Sequence, residues 1–332
     1  DLLVGQHGAQ ARAPVDHRVG AVHQAAGLQG ALALHAVQLV PGAAVELRRQ
    51  GDVACRVGVD KLLNGMRLAV ALDGVVMDHA VVPERAAGGV IRAGRLADQL
   101  GLPVFPDAAE TEAVARDLRL CRATGCRTHL QHLSCAGSVA LLRAARREGI
   151  PVSAEATPHH LLLALEDIPG DDADWKMNPP LGTRADIRAL RAAVLDGTID
   201  CLATDHAPHA AFLKEGGFRR AMFGVLGLET AVGATLQALV VEEDLPPLAW
   251  AAAWTLAPAR VLRLPPPALA PGSRADLCVV RPGNWTVRAA DLASRSRNSP
   301  FLGRELFGRV ELTLRAGRIT HSLRDDLAAT PA

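Results

Sequence analysis

The stretch Thr204-Asp205-His206-Ala207-Pro208-His209 places one carboxylate and two imidazoles within five residues. It follows the apolar run 199–203, which is typical of a buried strand. A strand end is a rigid support for reactive groups, and the loop after it leaves room for a substrate. Because loops are polar in any case, a solvated turn explains the stretch equally well when it is taken alone. The rest of the chain has to decide between these two interpretations.

Further histidines come at or just after the ends of predicted strands. His79 follows an apolar run, His132 lies in the stretch 127–133, and His159 and His160 follow the stretch 150–156. Imidazole and carboxylate groups are ligands that a borderline metal such as Zn²⁺ prefers. Such an ion lowers the pKa of bound water and polarises a carbonyl, and the Asp205 carboxylate could move the proton. The pattern therefore indicates metal-assisted hydrolysis of an amide.

Predicted strands and helices alternate along the middle of the chain. The strands are predicted at 75–77, 127–133, 150–156 and 199–203, and the helices at 108–124, 139–148 and 187–196. A glycine follows each of these helices. This alternation predicts an α/β fold with a parallel sheet, in which active sites form at the carboxyl ends of the strands.

The C-terminal part has a different pattern. Helices are predicted at 224–241 and 248–262, and three consecutive prolines at 265–267 mark a boundary. Short alternating strands follow at 275–280, 285–287 and 309–314. We therefore predict four segments: 1–72, unassigned; 73–262, the α/β part; 263–321, a small β domain; and 322–332, a tail.

The first 72 residues differ in composition from the rest, with no Ile, Phe or Trp, one Glu and one Lys. They show no clear period of 2 or 3.6, and the run 30–40 fits a strand or a short helix equally well. Four histidines in this segment do not have the spacing of a metal site. The sequence therefore leaves the fold of this segment open.

Composition excludes several classes of function. The formal net charge of the 332 residues is +1 without a basic block, and aromatic residues are only 3%, so nothing points to nucleic acid or an anionic membrane. No apolar run is long enough to span a bilayer, and the start lacks the layout of a signal peptide. The six cysteines are scattered without a CxxC pair, which favours reduced thiols and a cytoplasmic protein.

A series of motifs from about residue 78 to residue 318 resembles a known family. The motifs occur in this order: His129-Leu-Gln-His-Leu-Ser134, Thr157-Pro-His-His-Leu161, Lys176-Met-Asn-Pro-Pro-Leu181, Thr204-Asp-His-Ala-Pro-His209, Phe223-Gly-Val-Leu-Gly-Leu-Glu-Thr230 and Ser296-Arg-Asn-Ser-Pro-Phe301. Together they resemble dihydroorotase of the bacterial long-chain type, in the amidohydrolase superfamily. The resemblance implies the second half of an amidohydrolase-type (β/α) barrel plus a small C-terminal β unit. It also implies the reversible cyclisation of N-carbamoyl-aspartate to dihydroorotate, a step of pyrimidine biosynthesis.

The resemblance assigns roles to five residues of this sequence. His79 and His132 resemble metal ligands from two strand ends, and Asp205 resembles both a ligand and the general acid/base. Asn178 and His209 resemble residues that hold the substrate. The implied cofactor is Zn²⁺, present as one or two ions in the family.

Other histidines receive weaker assignments. His129 is expected to be a neighbour of the site rather than a ligand. For His159 and His160, a hydrogen-bonded structural role is expected over a direct one.

The sequence also departs from the family pattern. The family's first motif, His-x-His followed closely by a substrate-binding Arg, is not found, nor is the Asp or carbamylated Lys that bridges two metals. Val81 stands where an acidic residue is expected, and Gly182 stands where a basic residue usually follows Pro-Pro-Leu. We therefore expect at most one zinc ion to bind well and the activity of this chain to be impaired.

Three hypotheses follow from these departures. In the first, the chain is a dihydroorotase whose N-terminal part is altered, and the DNA upstream should encode His-x-His-x-Arg in another frame. In the second, it is a non-catalytic dihydroorotase-like scaffold that partners aspartate transcarbamoylase. In the third, it is another cyclic amidohydrolase, such as a hydantoinase or an allantoinase. A homo-oligomer is compatible with each of them.

Overall fold

Two sheets organise the chain in the computed structural model, which describes residues 38–40, 59–324 and 327. Within these residues the first sheet has the strand order β1-β2-β3-β4-β5, and the second has the order β6-β7-β8. The strands of the first sheet are β1 (Gln38–Val40), β2 (Val75–Asp78), β3 (Arg127–Leu130), β4 (Val152–Ala156) and β5 (Cys201–Leu202). Those of the second sheet are β6 (Leu277–Thr286), β7 (Glu305–Arg315) and β8 (Arg318–Ser322).

The helices follow the strands in the order predicted for an α/β fold. They are α1 (Val59–Ala71), α2 (Pro83–Ala86), α3 (Arg95–Leu100), α4 (Ala108–Thr124), α5 (Ala136–Arg147), α6 (Pro158–Leu162), α7 (Arg184–Leu195), α8 (Gly217–Arg220), α9 (Ala231–Thr235), α10 (Pro247–Trp254) and α11 (Leu256–Val261). Short 3₁₀ turns occur at Leu165–Asp167, Ala173–Trp175, Ala211–Lys214 and Ala289–Asp291.

Strands β2 to β5 are parallel, and β1 pairs with β2 in the antiparallel direction. Because side chains alternate along a strand, the register assigns each residue to one face of the sheet. Leu130, Ala154 and Leu202 lie on one face, almost fully buried in the main hydrophobic core between sheet and helices. His129 and Glu155 lie on the opposite face, which carries polar groups.

The helices bury one stripe each and end at recognisable signals. Helix α4 buries Ala113, Val114, Leu118 and Cys121 at helical spacing against the main core. It ends at Gly125, whose φ of 67° is in the left-handed region and whose N–H donates to the Cys121 carbonyl. These signals are the ones that predict the helix from the sequence, and its bounds agree with the prediction.

The C-terminal sheet is antiparallel, with bulges between its long strands. A second hydrophobic core joins this sheet to the loops that follow the parallel strands. It contains Val287, Phe301 and Leu306 from the C-terminal part and Met177 and Val225 from those loops. The C-terminal unit therefore supports the loops at the carboxyl edge of the parallel sheet.

Two of the predicted helices differ from the structure. The predicted helix 224–241 begins only at Ala231, and its second half, Leu236–Val241, is a π-helix. The predicted helix 248–262 is divided at Thr255, whose φ of −126° is not helical. Pro258 explains the break, because it lacks the N–H that would bond the residue 254 carbonyl and its ring crowds that carbonyl.

The N-terminal segment 1–72 lies largely outside the described residues. Of this segment, the structure describes β1 and residues 59–72, including helix α1, which packs Leu62 and Met66 against Val76 of β2. Across the described part of the chain, none of the helices combines the length and the apolar character that a bilayer crossing requires.

Candidate active site

Two of the predicted metal ligands meet at the carboxyl edge of the parallel sheet. His79 follows β2 directly and His132 follows β3 by two residues. His79 Nδ1 lies 2.8 Å from His132 Nε2, and the ring centroids are 4.5 Å apart. His132 has a φ of 33°, in the left-handed region that is uncommon for residues other than glycine. This turn directs the His132 ring towards His79, although 53 residues separate them.

A buried charge network lies directly behind His79. Arg116 Nη2 donates to Asp78 Oδ2 at 3.0 Å and lies 2.7 Å from Asp117 Oδ1. Asp117 is fully buried, and burial together with the Asp78 charge raises the pKa of its carboxyl well above the usual value, although Arg116 opposes this. The network holds the end of β2, and therefore the backbone that carries His79, in one position.

A second network fixes the turn at His132. The Ser134 N–H donates to Glu110 Oε1 at 3.1 Å, and the Ser134 hydroxyl also donates to this carboxylate. Arg92 Nη2 donates to Ser134 Oγ at 2.6 Å. These groups are all buried. Sequence reasoning missed this network, because its members are scattered over more than 40 residues.

Asp205, the predicted acid/base, lies three residues after β5 at the same edge of the sheet. Its φ of 45° is also left-handed, which Asp tolerates better than most residues do. Non-glycine residues in this region concentrate at functional sites, where the surrounding structure supports the strain.

Asn298 holds the loop 204–209 that carries Asp205. Its Nδ2 donates to the Ala207 carbonyl at 2.9 Å and to the Gly224 carbonyl at 3.1 Å. Its Oδ1 accepts from the His209 N–H at 3.2 Å. Asn298 is 3% exposed, so its side chain is largely shielded from water, and its bond to the Gly224 carbonyl is buried. Asn298 lies within the motif 296–301, whose residues have no predicted role in the site.

Two glycines let a neighbouring loop approach this stretch. At Gly224, which has a φ of 127°, a Cβ would lie 2.5 Å from the Ala207 Cβ. At Gly227, a Cβ would lie 2.2 Å from the Thr204 carbonyl oxygen. Only glycine fits these close approaches, which explains why the Gly-Val-Leu-Gly run forms a loop here and not the start of a helix.

His209, predicted to bind substrate, has one ring nitrogen occupied. Its Nε2–H donates to the Phe223 carbonyl at 2.8 Å, so Nδ1 is the acceptor of the ring. Burial lowers the pKa of His209; the bond to Phe223 opposes this, and the nearby Lys214 charge adds to it. A neutral His209 can accept a hydrogen bond from a substrate N–H. It lines an open cavity of about 530 Å³ that also reaches Lys214 and Arg295.

Asn178, the other predicted substrate-binding residue, presents a buried Oδ1 without a hydrogen-bond partner among the described residues. The adjoining Pro179 carbonyl accepts from His160 Nε2 at 3.0 Å, and His160 Nδ1 lies 2.8 Å from Thr157 Oγ1. His160 thus has the structural role that the sequence analysis favoured. Burial lowers its pKa well below 6.5, so the ring is neutral.

His159 is fully buried, and neither of its ring nitrogens has a hydrogen-bond partner among the described residues. Burial, and next the charge of His132, lower its pKa to about 3. An imidazole in this state costs stability, because its polar atoms leave water without new partners.

Gly182, which stands where the family usually has a basic residue, lies at a position with no room for a side chain. A Cβ at Gly182 would lie 2.8 Å from the Ser134 carbonyl oxygen and 2.7 Å from the Asp186 Cβ. The basic side chain that the family carries here would therefore require the backbone to move.

The imidazoles of His79 and His132 and the carboxylate of Asp205 are groups of the types that bind zinc. Two facing imidazoles at 2.8 Å need to separate by about 0.5 Å to hold Zn²⁺ between them at bonds of about 2.0–2.1 Å. Asp205, at the same edge, supplies a carboxylate as the third donor type. Elsewhere in the described residues, the ligand atoms of His129, Glu155 and Cys201 lie within 4.8 Å of one another. Sequence reasoning predicted no such group.

A family model described as "Amidohydrolase family" matches residues 62–320. The chain therefore belongs to the amidohydrolase family. The match begins at residue 62, within the segment 1–72, whose composition differs from that of the rest of the chain.

Relatives in this family carry a more specific name. The chain is 43% identical over 255 residues to a dihydroorotase of Pelotomaculum thermopropionicum, a match that covers 76% of this chain and 60% of that protein. It is 40% identical over 307 residues to a dihydroorotase of Mycobacterium tuberculosis, covering 92% of this chain and 71% of that protein. The chain is thus a homologue of dihydroorotases, and it spans less than three quarters of the length of each of these relatives.

Solved structures confirm the predicted fold class. An L-hydantoinase (dihydropyrimidinase) from Arthrobacter aurescens aligns with a TM-score of 0.72 and 27% identity, covering 89% of this chain and 65% of that one. The fold is the α/β amidohydrolase fold, with a parallel sheet followed by a small antiparallel C-terminal sheet.

Proposed function

We propose that the chain is the metal-dependent dihydroorotase part of an enzyme that interconverts N-carbamoyl-aspartate and dihydroorotate in pyrimidine biosynthesis. The observation that supports this most strongly is the 2.8 Å approach of His79 and His132, which extend from two strands to one edge of the sheet. The similarity to dihydroorotases favours a cyclic amide as the class of substrate.

His79, His132 and Asp205 would hold the zinc ion. When bound, the ion supplies a water of lowered pKa and polarises the carbonyl that is attacked. The residues of the chain do the remaining work. Asp205 takes the proton from the attacking water and passes it to the nitrogen that leaves as the cyclic amide bond breaks.

The substrate is held by the groups around this edge. The His209 Nδ1 acceptor would face an N–H donor of the ring. Asn178 Oδ1, which has no hydrogen-bond partner among the described residues, offers a second acceptor for the same kind of group. Both atoms suit the ureido N–H groups that dihydroorotate and N-carbamoyl-aspartate share. Arg295 in the cavity wall supplies positive charge for a substrate carboxylate.

The proposal is tested by turnover on zinc-loaded protein with dihydroorotate, hydantoin and allantoin as substrates. We expect dihydroorotate to be opened fastest. Because Asp205 is both a ligand and the proton carrier, Asp205→Asn should weaken zinc binding and lower kcat per bound zinc by about 10²–10⁴-fold. His321→Ala, at an exposed position of β8, is the matched control and should leave kcat unchanged. Faster turnover of hydantoin would make the chain a different cyclic amidohydrolase.

Absence of turnover has its own interpretation. If the protein copurifies with aspartate transcarbamoylase and turns over none of the three substrates with zinc present, the proposal of catalysis is wrong and the scaffold hypothesis replaces it.

A further inference from the structure

Three side chains with metal-binding atoms lie together on the polar face of the parallel sheet, opposite the face that packs in the main hydrophobic core. His129 of β3 is opposite Ser153 of β4, and Glu155 of β4 is opposite Cys201 of β5. Ser153 and Glu155 are two residues apart and so lie on the same face. The register of three strands therefore places His129, Glu155 and Cys201 side by side, away from the hydrophobic core on the other face.

The ligand atoms of these three residues all lie within 4.8 Å of one another. His129, Glu155 and Cys201 are 1%, 8% and 3% exposed. Tetrahedral Zn²⁺ with bonds of about 2.0–2.3 Å places its ligand atoms roughly 3.3–3.8 Å apart. A contraction of about 1 Å would be enough to close the group around an ion.

The donor chemistry selects a particular class of metal. A nitrogen, a carboxylate oxygen and a sulfur are together a ligand set for zinc, since Mg²⁺ and Ca²⁺ prefer oxygen ligands alone. Three protein ligands are the number found in zinc sites that keep a fourth position open. The set also links three neighbouring strands, so that an ion here would fasten β3, β4 and β5 to one another.

Ser153 is positioned to hydrogen-bond the ring nitrogen of His129 that would not bind the metal. His129 Nδ1 lies 2.8 Å from Ser153 Oγ, and His129 Nε2 lies 3.1 Å from Glu155 Oε2. A serine hydroxyl can donate or accept a hydrogen bond. Ser153 Oγ can therefore accept from Nδ1–H when Nε2 carries no hydrogen and binds a metal. Such partners fix the tautomer and orientation of metal-binding histidines.

We propose that His129 Nε2, the Glu155 carboxylate and Cys201 Sγ form a zinc site with its own ligand set. The site adjoins the His79, His132 and Asp205 edge, since Glu155 is close enough to His132 for their charges to interact. Its ligand set shares no residue with that edge, so it stands whether or not the chain is a dihydroorotase. Because burial raises the pKa of the Cys201 thiol, with Glu155 and Asp200 adding to the effect, zinc binding must release the thiol proton.

The test is a Co²⁺ titration of the metal-free full chain, with the thiolate-to-cobalt charge-transfer band as the readout, because only a cysteine ligand produces that band. We expect the band to appear in the parent and to persist when His79 and His132 are both changed to alanine. We expect Cys201→Ser to abolish it. Cys278→Ser, which removes an exposed thiol on β6, is the matched control and should keep the band.

Graded variants protect the test against a failure to fold. Ser153→Ala, which removes only the outer partner, should weaken Co²⁺ binding by about 10–100-fold. Glu155→Gln keeps the shape of the side chain and should weaken it at least as much. Each variant is compared with the parent by its metal-free circular dichroism, and only variants with the parent spectrum are counted.

Two results would overturn the proposal. One is a charge-transfer band that survives Cys201→Ser, which would place the thiolate ligand elsewhere. The other is saturable Co²⁺ binding by the parent without any thiolate band, which would confine the metal to histidine and carboxylate ligands.

Discussion

Replacing Asn298 by alanine should destabilise the protein by roughly 3 kcal/mol, because this buried side chain makes three hydrogen bonds of about 1 kcal/mol each. Two are donated to the Ala207 and Gly224 carbonyls at 2.9 and 3.1 Å, and one is accepted from the His209 N–H at 3.2 Å. Alanine leaves all three backbone groups without this partner. Urea unfolding followed by circular dichroism measures the loss as a lower midpoint at an unchanged slope.

The matched control for this substitution is Asn284→Ala. Asn284 makes one exposed hydrogen bond, from Nδ2 to Glu305 Oε1 at 2.8 Å, so its loss should stay within about 0.5 kcal/mol. The account of the 204–209 loop would be refuted if Asn298→Ala cost less than about 1 kcal/mol, or no more than the control. In that case, water or a shifted backbone would be satisfying the three groups.

Three further predictions concern stability and use the same unfolding assay. His159→Leu should make the protein less sensitive to acid. The pKa of His159 is about 3 in the folded protein and about 6.5 in the unfolded chain, so below pH 6.5 only the unfolded chain binds the proton, and the free energy of unfolding of the parent falls by up to about 1.4 kcal/mol per pH unit. An unchanged dependence of stability on pH in the variant would contradict this. Thr183→Ala should cost about 1 kcal/mol by removing the side-chain cap of helix α7, whereas a neutral effect would show that the capping box with Asp186 is dispensable. Leu142→Ala, at a fully buried core position, should cost about 2–5 kcal/mol, while Leu248→Ala, at a position 85% exposed, should cost less than about 0.5; equal effects would place the core elsewhere.

The sequence predicts the parallel sheet and the meeting of His79 with His132 for a physical reason. Parallel strands deliver their carboxyl ends to one edge, so polar groups that follow different strands must come close together. The resemblance to dihydroorotases points to the same residues. The roles of His79, His132, Asp205, Asn178 and His209 remain predictions, since the structure shows their positions but not their chemistry.

The His129, Glu155 and Cys201 group could not be predicted in the same way. His129 and Glu155 are 26 residues apart, and only the strand register puts them on one face beside Cys201. A shift of one residue in that register would turn one of these side chains towards the hydrophobic core. Composition and motif spacing do not by themselves determine which residues of neighbouring strands lie opposite each other.

Other differences arise where a tertiary contact overrides a local pattern. The run from Gly224 resembles the start of a helix, yet Gly224 and Gly227 serve a close approach to the 204–209 loop. The predicted strand 127–133 ends at Leu130, and the left-handed backbone at His132 turns the ring towards His79. Such conformations are set by the surrounding structure and not by the residue type alone.

The central claim is tested most directly by measuring bound zinc and dihydroorotate hydrolysis on the same purified preparation, for the parent and for the variant with His79 and His132 both changed to alanine. The account predicts turnover that follows the zinc held by the parent, and loss of turnover in the double variant even when Zn²⁺ is added. Turnover that persists in the double variant, or a parent that holds zinc through these two histidines without opening dihydroorotate, would contradict it.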